Sequence, residues 1–186
     1  MADRIGVFAF CGSLRKGSFN RMALRAAEEL APAGMTFDNA DIAQIPAYNE
    51  DVREQGYPPP VRDMRERIRA ADAILFVTPE YNFSIPGVLK NAIDWASRPP
   101  DQPFNGKPVA IMGASPSMLG SARAQYHLRQ CCVFLNMFPI NQPEVFIAGA
   151  DKKFDSAGRL TDETTRKLVT KLLEALADWT RRLKAH

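Results

Sequence analysis

The chain is poor in the residues that mark metal, disulfide or nucleophile chemistry. Its 186 residues include three cysteines and two histidines. Cys11 closes the first apolar run, and Cys131 and Cys132 are neighbours. No CxxC pair and no Cys/His set at zinc spacing exists, so a zinc site or a disulfide framework is not expected. Free thiols packed as small apolar groups are expected instead. His127 and His186 are too few for a His-rich metal site, and His186, as the last residue, is expected to be frayed. No apolar run is long enough to cross a bilayer. Met1-Ala2-Asp3-Arg4 leads into a short strand-like run without a signal-peptide layout, so a cytoplasmic setting with reduced thiols is expected. The net charge of +3 is slight and the basic residues are scattered, so neither a nucleic acid nor a membrane is an expected partner. Internal repeats, linkers and low-complexity segments are also missing.

What is there fits one domain. A length of 186 residues with 46% apolar content supports a single core, so residues 1–186 are expected to form one domain. Ile5 to Phe10 is a short apolar run of the kind that forms a strand buried on both faces. Strands are also expected at Met35 to Ala40, Ala73 to Thr78, Lys107 to Gly113 and Glu144 to Ala148. Helical spacing marks Ser18 to Leu30, then Val61, Met64, Ile68 and Ala71, then Val88 to Ala96, Ser121 to Leu135, and a closing stripe from Leu168 to Leu183. Residues 41–60, which include Pro46, Gly56 and Pro58 to Pro60, are expected to be one long loop. Five strands alternating with five helices predict an α/β fold: a doubly wound parallel sheet in flavodoxin-like order 2-1-3-4-5, helices on both faces. Ligands of such sheets bind beyond the carboxyl ends of the strands at the switch point, which points to the loops after strands one, three and four.

The loop after strand one reads Gly12-Ser13-Leu14-Arg15-Lys16-Gly17-Ser18-Phe19-Asn20 and runs into a helix. Its glycines permit close turns, and Ser13, Ser18 and Asn20 offer short polar groups. Arg15 offers a planar cation, and the helix start offers free N–H groups. Together they suit a terminal phosphate. A plain solvated loop with a Ser cap fits the same residues. GxGxxG is absent, which argues against a dinucleotide-binding Rossmann site. GxxxxGK followed by Ser or Thr is also absent, which argues against a P-loop. After strand three comes Thr78-Pro79-Glu80-Tyr81-Asn82-Phe83-Ser84-Ile85-Pro86-Gly87. Tyr81 and Phe83 can lie against a flat ring, Asn82 and the backbone can bond to ring heteroatoms, and two prolines stiffen the loop. A stiff turn with an exposed Tyr is the plainer alternative. The Gly/Ser loop 113–120 lets backbone approach a ligand closely but is unspecific by itself.

These stretches resemble the NADPH-dependent FMN reductase family of flavodoxin-like proteins, closest to its bacterial quinone and chromate reductases. The pieces that carry the resemblance are GSLRKGSFN at 12–20, TPEYNFSIPGVLKNAIDW at 78–95 and GASPSMLGSARAQYHLRQ at 113–130. The resemblance implies that Ser13, Arg15, Ser18 and Asn20 grip the phosphate of FMN, with Leu14 and Phe19 in the same stretch of the cofactor site. It implies that Pro79, Glu80, Tyr81, Asn82 and Phe83 line the isoalloxazine ring and that Ser115 approaches it from another side. Phe83 departs from the Tyr that close relatives often carry, so any bond from that hydroxyl is missing.

The activity implied is FMN-dependent NAD(P)H oxidoreduction, with hydride transfer to quinones, chromate or azo compounds in a ping-pong cycle at one shared site. No catalytic side chain and no metal ligand is assigned. His127 and Cys131 lie four apart on one helix, but no positioned partner completes a nucleophile set. NADPH or NADH serves equally as donor at this level. Lys16 and the arginines Arg62, Arg65, Arg67 and Arg69 can meet a 2′-phosphate or form a solvated helix face. The resemblance further implies a homodimer or homotetramer, with Arg123, Tyr126 and Glu144 as candidate contacts. An electron-carrying flavodoxin or an FMN-binding module without turnover is the alternative, although a pI near 8.8 disfavours the acidic docking face of a shuttle.

Overall fold

A computed structural model describes residues 4–185 of the chain; the expectations for Met1 to Asp3 and for His186 lie outside them. β1 (Ile5–Cys11), β2 (Met35–Asn39), β3 (Ala73–Val77) and β4 (Pro108–Ala114) form a parallel sheet in the order β2-β1-β3-β4. Successive side chains point to opposite faces. Val7, Ala9, Leu75, Val77 and Met112 face one core, against α1 (Phe19–Glu29) and α6 (Glu163–Lys184). Phe8, Phe10, Ile74, Phe76 and Ile111 face the other core, against α3 (Pro59–Ala70), α4 (Gly87–Ala96) and α5 (Ala122–Phe134). The second core is the aromatic one. Phe10 stacks on Phe76 at 5.0 Å and meets Phe8 edge-on at 5.0 Å, each ring fully buried. Every such side chain contributes about 1.5–3 kcal/mol of transfer free energy. The apolar runs at β1 and β3 are buried on both faces, as expected of a sheet covered by helices.

The fifth position differs from the expected strand at 144–148. Two short segments share the sheet edge, β5 (Phe138–Pro139) and β6 (Val145–Ile147), and both run parallel to β4. Pro139 and Pro143 lack the N–H that a continuous ladder would need, so residues 140–144 leave the sheet between them. Arg129 secures that excursion through the Ile140 carbonyl at 3.0 Å. The sheet order 2-1-3-4-5 holds with the broken edge strand in last place.

Residues 41–60 are not one loop. A single 3₁₀ turn covers Ile42–Gln44, and a sixth helix, α2 (Glu50–Glu54), is capped by Asn49, which accepts from Asp51 N at 2.9 Å. No residue of α2 is buried, so it has no apolar stripe to announce it. Pro58 to Pro60 start α3, where a missing N–H costs nothing. Of the arginines of α3, only Arg65 leaves the solvated helix face that was one of the two roles considered for them; Arg62 is exposed, and Arg67 and Arg69 form partly exposed ion pairs. Arg65 is 5% exposed and donates to the carbonyls of Ala96, Arg98 and Asp101. Arg67 holds Asp38 and Asp63, and Arg69 holds Asp101. Among the described residues no helix is long and apolar enough to cross a membrane.

Candidate functional site

The loops after β1, β3 and β4 meet at the carboxyl end of the sheet. Residues 12–18 leave β1 and enter α1, whose N-cap is Ser18; its hydroxyl accepts from Asn20 N at 3.2 Å. The N–H groups of Ser13, Leu14, Arg15, Lys16 and Gly17 find no acceptor among the described residues. Five consecutive free donors ahead of a helix N-terminus form a cradle for an anion. Arg15 curls over the same loop and donates to Gly17 O at 2.9 Å. Asn20 is 3% exposed, and both ends of its amide are spent on β4: Nδ2 donates to Ala114 O at 2.8 Å and Oδ1 accepts from Ala114 N at 2.9 Å. It therefore pins the cradle to the neighbouring loop.

The β3 loop is a tight turn. Tyr81 and Ser84 exchange two backbone bonds of 3.1 and 3.0 Å around Asn82 (φ 50°) and Phe83 (φ 63°). Positive φ at both central residues is the pattern of a type I′ turn, and it is strained for a Phe. Helix α5 holds the turn in three places. The Glu80 carboxylate accepts from Arg123 N at 2.9 Å and Ala124 N at 3.2 Å and faces the Arg123 guanidinium at 3.3 Å. That guanidinium lies 3.7 Å from the centre of the Phe83 ring. Ser84 Oγ meets His127 Nδ1 at 3.0 Å. Helix α5 has no cap of its own, since Ser121 stands at φ 72° with no side-chain bond to the helix start, so Glu80 caps it from outside.

The β4 loop is drawn in by two glycines. A Cβ on Gly113 would lie 2.0 Å from Ser121 Oγ and 2.1 Å from Thr78 O; one on Gly120, at φ 53°, would lie 2.7 Å from the Phe146 backbone. Ser115 follows, with its hydroxyl 2.9 Å from that of Ser117.

Two adjoining cavities result. The narrower, about 380 Å³, is lined by Ser13, Arg15, Ser18, Phe19, Asn20, Pro79, Glu80, Tyr81, Ala114, Ser115 and Pro116. The wider, about 880 Å³, shares Glu80 and Ser115 and adds Asn82, Phe83, Met118, Leu119 and Arg123 among its walls. Eleven of the twelve expected cofactor residues line one or the other. Leu14 does not: it faces a separate crevice with Cys11, Arg21 and Arg25 on the far side of the loop. Sequence reasoning did not single out Ala114, Pro116, Met118 or Leu119, although the small-residue stretch 113–120 contains them all. Of the candidate subunit contacts, Arg123 pairs with Glu80 within the chain, and Glu144 accepts from Tyr126 Oη at 2.9 Å.

The site contains no activated nucleophile. Burial pushes the Cys11 thiol up, with a contact to Ser13 O and the Arg21 charge pulling partly back. Burial likewise raises Cys131, and it carries Cys132 to about 12. Thiols so placed stay protonated near neutrality. A donor-rich cradle beside a flat-walled cavity is suited to holding a phosphate with an attached planar group, and to leaving the redox chemistry to that group.

Comparison with known proteins agrees with this arrangement. The sequence profile of the NADPH-dependent FMN reductases matches residues 5–152. An NAD(P)H-dependent FMN reductase of Pseudomonas aeruginosa is 59% identical over 99% of this chain and 100% of its own length. A quinone reductase of Escherichia coli is 46% identical over 99% of this chain and 100% of its own. Among solved structures, the flavoenzyme NAD(P)H:(acceptor) oxidoreductase of Paracoccus denitrificans superimposes with a TM-score of 0.88 at 36% identity, covering 96% of this chain and 98% of that one.

Proposed function

This chain belongs to the NADPH-dependent FMN reductase family, and from that membership we propose how its own residues serve an FMN-dependent NAD(P)H oxidoreductase that reduces quinones. The observation that carries the reading is the row of five free N–H groups at Ser13 to Gly17, in the loop whose Ser13, Arg15 and Ser18 line the narrower cavity. The amides of that row, with Arg15 and the Ser13 and Ser18 hydroxyls, bind the FMN phosphate. Asn20 keeps the cradle against β4. Pro79 to Phe83 and Ser115 orient the isoalloxazine ring, and Phe19 walls the narrower cavity between them. When bound, FMN supplies the chemistry: it takes a hydride from the reduced pyridine nucleotide and yields two electrons to the acceptor. The chain's part is to position the two substrates and exclude water, and the wider cavity is where both meet the ring in turn.

The acceptor is a planar quinone, as in the name of the Escherichia coli relative, because Phe83, Met118 and Leu119 present apolar surface in that cavity. Copies of the chain associate through the outer face of α5. Val133 and Phe134 are 81% and 80% exposed there, although the inner face of the same helix already buries Leu128 and Cys132. The test is direct. The purified protein should carry a yellow chromophore, released on denaturation as FMN, and should oxidise NADPH or NADH anaerobically only when menadione is added. A colourless protein that does not bind added FMN, or one that binds FMN and reduces no quinone, would refute the reading.

A further inference from the structure

The chain after β6 joins two sides of the site. Its approach is bonded to the ring-side β4 loop: Gly149 N donates to Ser117 O at 3.3 Å, and Ala150 N donates to Ser115 O at 3.1 Å. Residues 153–161 then fold back as a small hairpin with Phe154 opposite Leu160. Thr161 N donates to Lys153 O at 2.9 Å and Asp155 N to Arg159 O at 3.0 Å. The Asp155 carboxylate closes the turn by accepting from Ala157 N and Arg159 N, both at 2.9 Å. Lys153 Nζ, 3.0 Å from Thr165 Oγ1, fixes the base of the hairpin to the start of α6.

This braced hairpin lies along α1. Gly158, at φ 75°, is close enough that a Cβ there would stand 2.6 Å from Arg25 Nη2 and 3.2 Å from Met22 Cγ. Phe154, 9% exposed, stacks on Phe19 with ring centres 5.9 Å apart and planes at 28°. Phe19 is the first residue of α1 and a wall of the narrower cavity. The next residue, Asn20, is bound at both ends of its amide to Ala114. Consecutive helical residues point about 100° apart, so Asn20 holds the first turn toward β4 while Phe19 holds it toward the hairpin. With one restraint alone the turn is free to roll about its axis, and the amide row of Ser13 to Gly17 leads directly into that turn.

We propose that Phe154 is a positioning residue for the phosphate cradle: through the Phe19 ring it fixes the first turn of α1, and with it the aim of the amide row at the FMN phosphate. The proposal deepens the reading of that row as the phosphate site and rests on it. Without the Phe154 ring the turn relaxes in the apoprotein, and FMN has to restore it on binding. The loss cannot exceed what the aromatic pair contributes, which corresponds to about three- to tenfold in affinity. Riboflavin carries the same ring system without the phosphate, so its binding makes no call on the amide row.

The experiment titrates the full-length apoprotein with FMN and with riboflavin by flavin fluorescence, well below the Tm of each variant. The quantity read is the ratio of dissociation constants, riboflavin over FMN, which isolates the phosphate and is blind to a general loss of folded protein. Phe154→Ala should lower this ratio about three- to tenfold. Phe154→Leu fills most of the space without a flat face; it keeps the test open if Phe154→Ala does not fold, and it should lower the ratio about twofold. Leu176→Ala opens a cavity in the same core, about 20 Å along α6 from its start, and should lower the apoprotein Tm while leaving the ratio where it is. An unchanged ratio in the folded Phe154 variants, or an equal fall in Leu176→Ala, overturns the proposal and leaves the phosphate site standing. Riboflavin bound as tightly as FMN by the unaltered protein overturns the phosphate-site reading and this inference together.

Discussion

Removal of the Glu80 carboxylate tests how the ring-side loop is held. Glu80 supplies the cap that α5 lacks, with two N–H bonds of 2.9 and 3.2 Å to an ionised acceptor, and its ion pair with Arg123 spans 3.3 Å. Loss of an N-cap costs about 1 kcal/mol, with an upper range of about 2 where the cap is charged and partly buried. The ion pair, half exposed on the arginine side, adds less than about 1 kcal/mol. Glu80→Ala should therefore destabilise the apoprotein by about 2 kcal/mol. For a domain of this size each kcal/mol moves Tm by about 2–4 °C, so Tm should fall by about 4–8 °C. Glu80→Gln keeps an acceptor oxygen without the charge and should lose about half as much. The apoprotein is the right species, because bound FMN would add its own stabilisation. Thermal unfolding followed by circular dichroism gives the stability, and fluorescence titration of each variant with FMN gives the second readout. With the anchor gone, Asn82 and Phe83 are free to leave their strained positive φ, and FMN should bind several-fold more weakly. An apoprotein Tm for Glu80→Ala within about 1 °C of the parent would refute the capping role.

Arg15→Ala should weaken FMN binding about tenfold, the value of one charge-assisted bond of about 1.5 kcal/mol, and an unchanged dissociation constant in the folded variant would remove Arg15 from the phosphate site. Initial-rate plots for NAD(P)H and a quinone should give parallel lines, with NAD(P)⁺ competing against the quinone, because one cavity serves both; intersecting lines would require a second nucleotide site. Asp162, whose carboxyl is held below its ordinary value of 3.8 first by the Thr165 hydroxyl and then by the Thr165 N–H, stabilises the fold fully above its unfolded pKa and loses that contribution as pH falls through the lower, folded one. Asp162→Asn should therefore flatten the decline of the urea midpoint between about pH 5 and about pH 2, whereas parallel declines in the two proteins would rule out this linkage.

The parts of this molecule that could be read from the chain are those written in local periodicity and local composition. The runs at Ile5 to Phe10 and Ala73 to Thr78 announce buried strands because burial on both faces requires an apolar residue at every position, and the cradle announces itself because glycine, serine and a helix start are contiguous. Helix α2 was illegible for the converse reason: five residues, none of them buried, carry no stripe. The broken edge strand left a trace in Pro139 and Pro143, but the stretch after Glu144 still reads as apolar, and a proline only shows where a ladder fails once its partner strand is known.

The site residues divide along the same line. Ser13, Arg15 and Ser18 act beside their own neighbours in sequence, and their place in the cavity follows from the loop they stand in. Asn20 reaches a partner 94 residues away, and Glu80 reaches one 43 residues away. Nothing local tells a phosphate-binding Asn from one that ties two loops together, or a ring-lining Glu from a remote helix cap, because the short polar side chain is the same and only the partner differs. These long ties also bring the three loops to one place. Asn20 closes the distance between the β1 and β4 loops, Glu80 and Ser84 close that between the β3 loop and α5, and Gly113 permits β4 to approach Thr78. A substitution at Asn20 or Glu80 should therefore change FMN affinity by moving a wall of the cavity, whereas one at Arg15 removes a donor from a wall that stays in place. The two kinds of loss separate in the apoprotein: Asn20→Ala and Glu80→Ala should lower its Tm along with FMN affinity, and Arg15→Ala should lower the affinity alone.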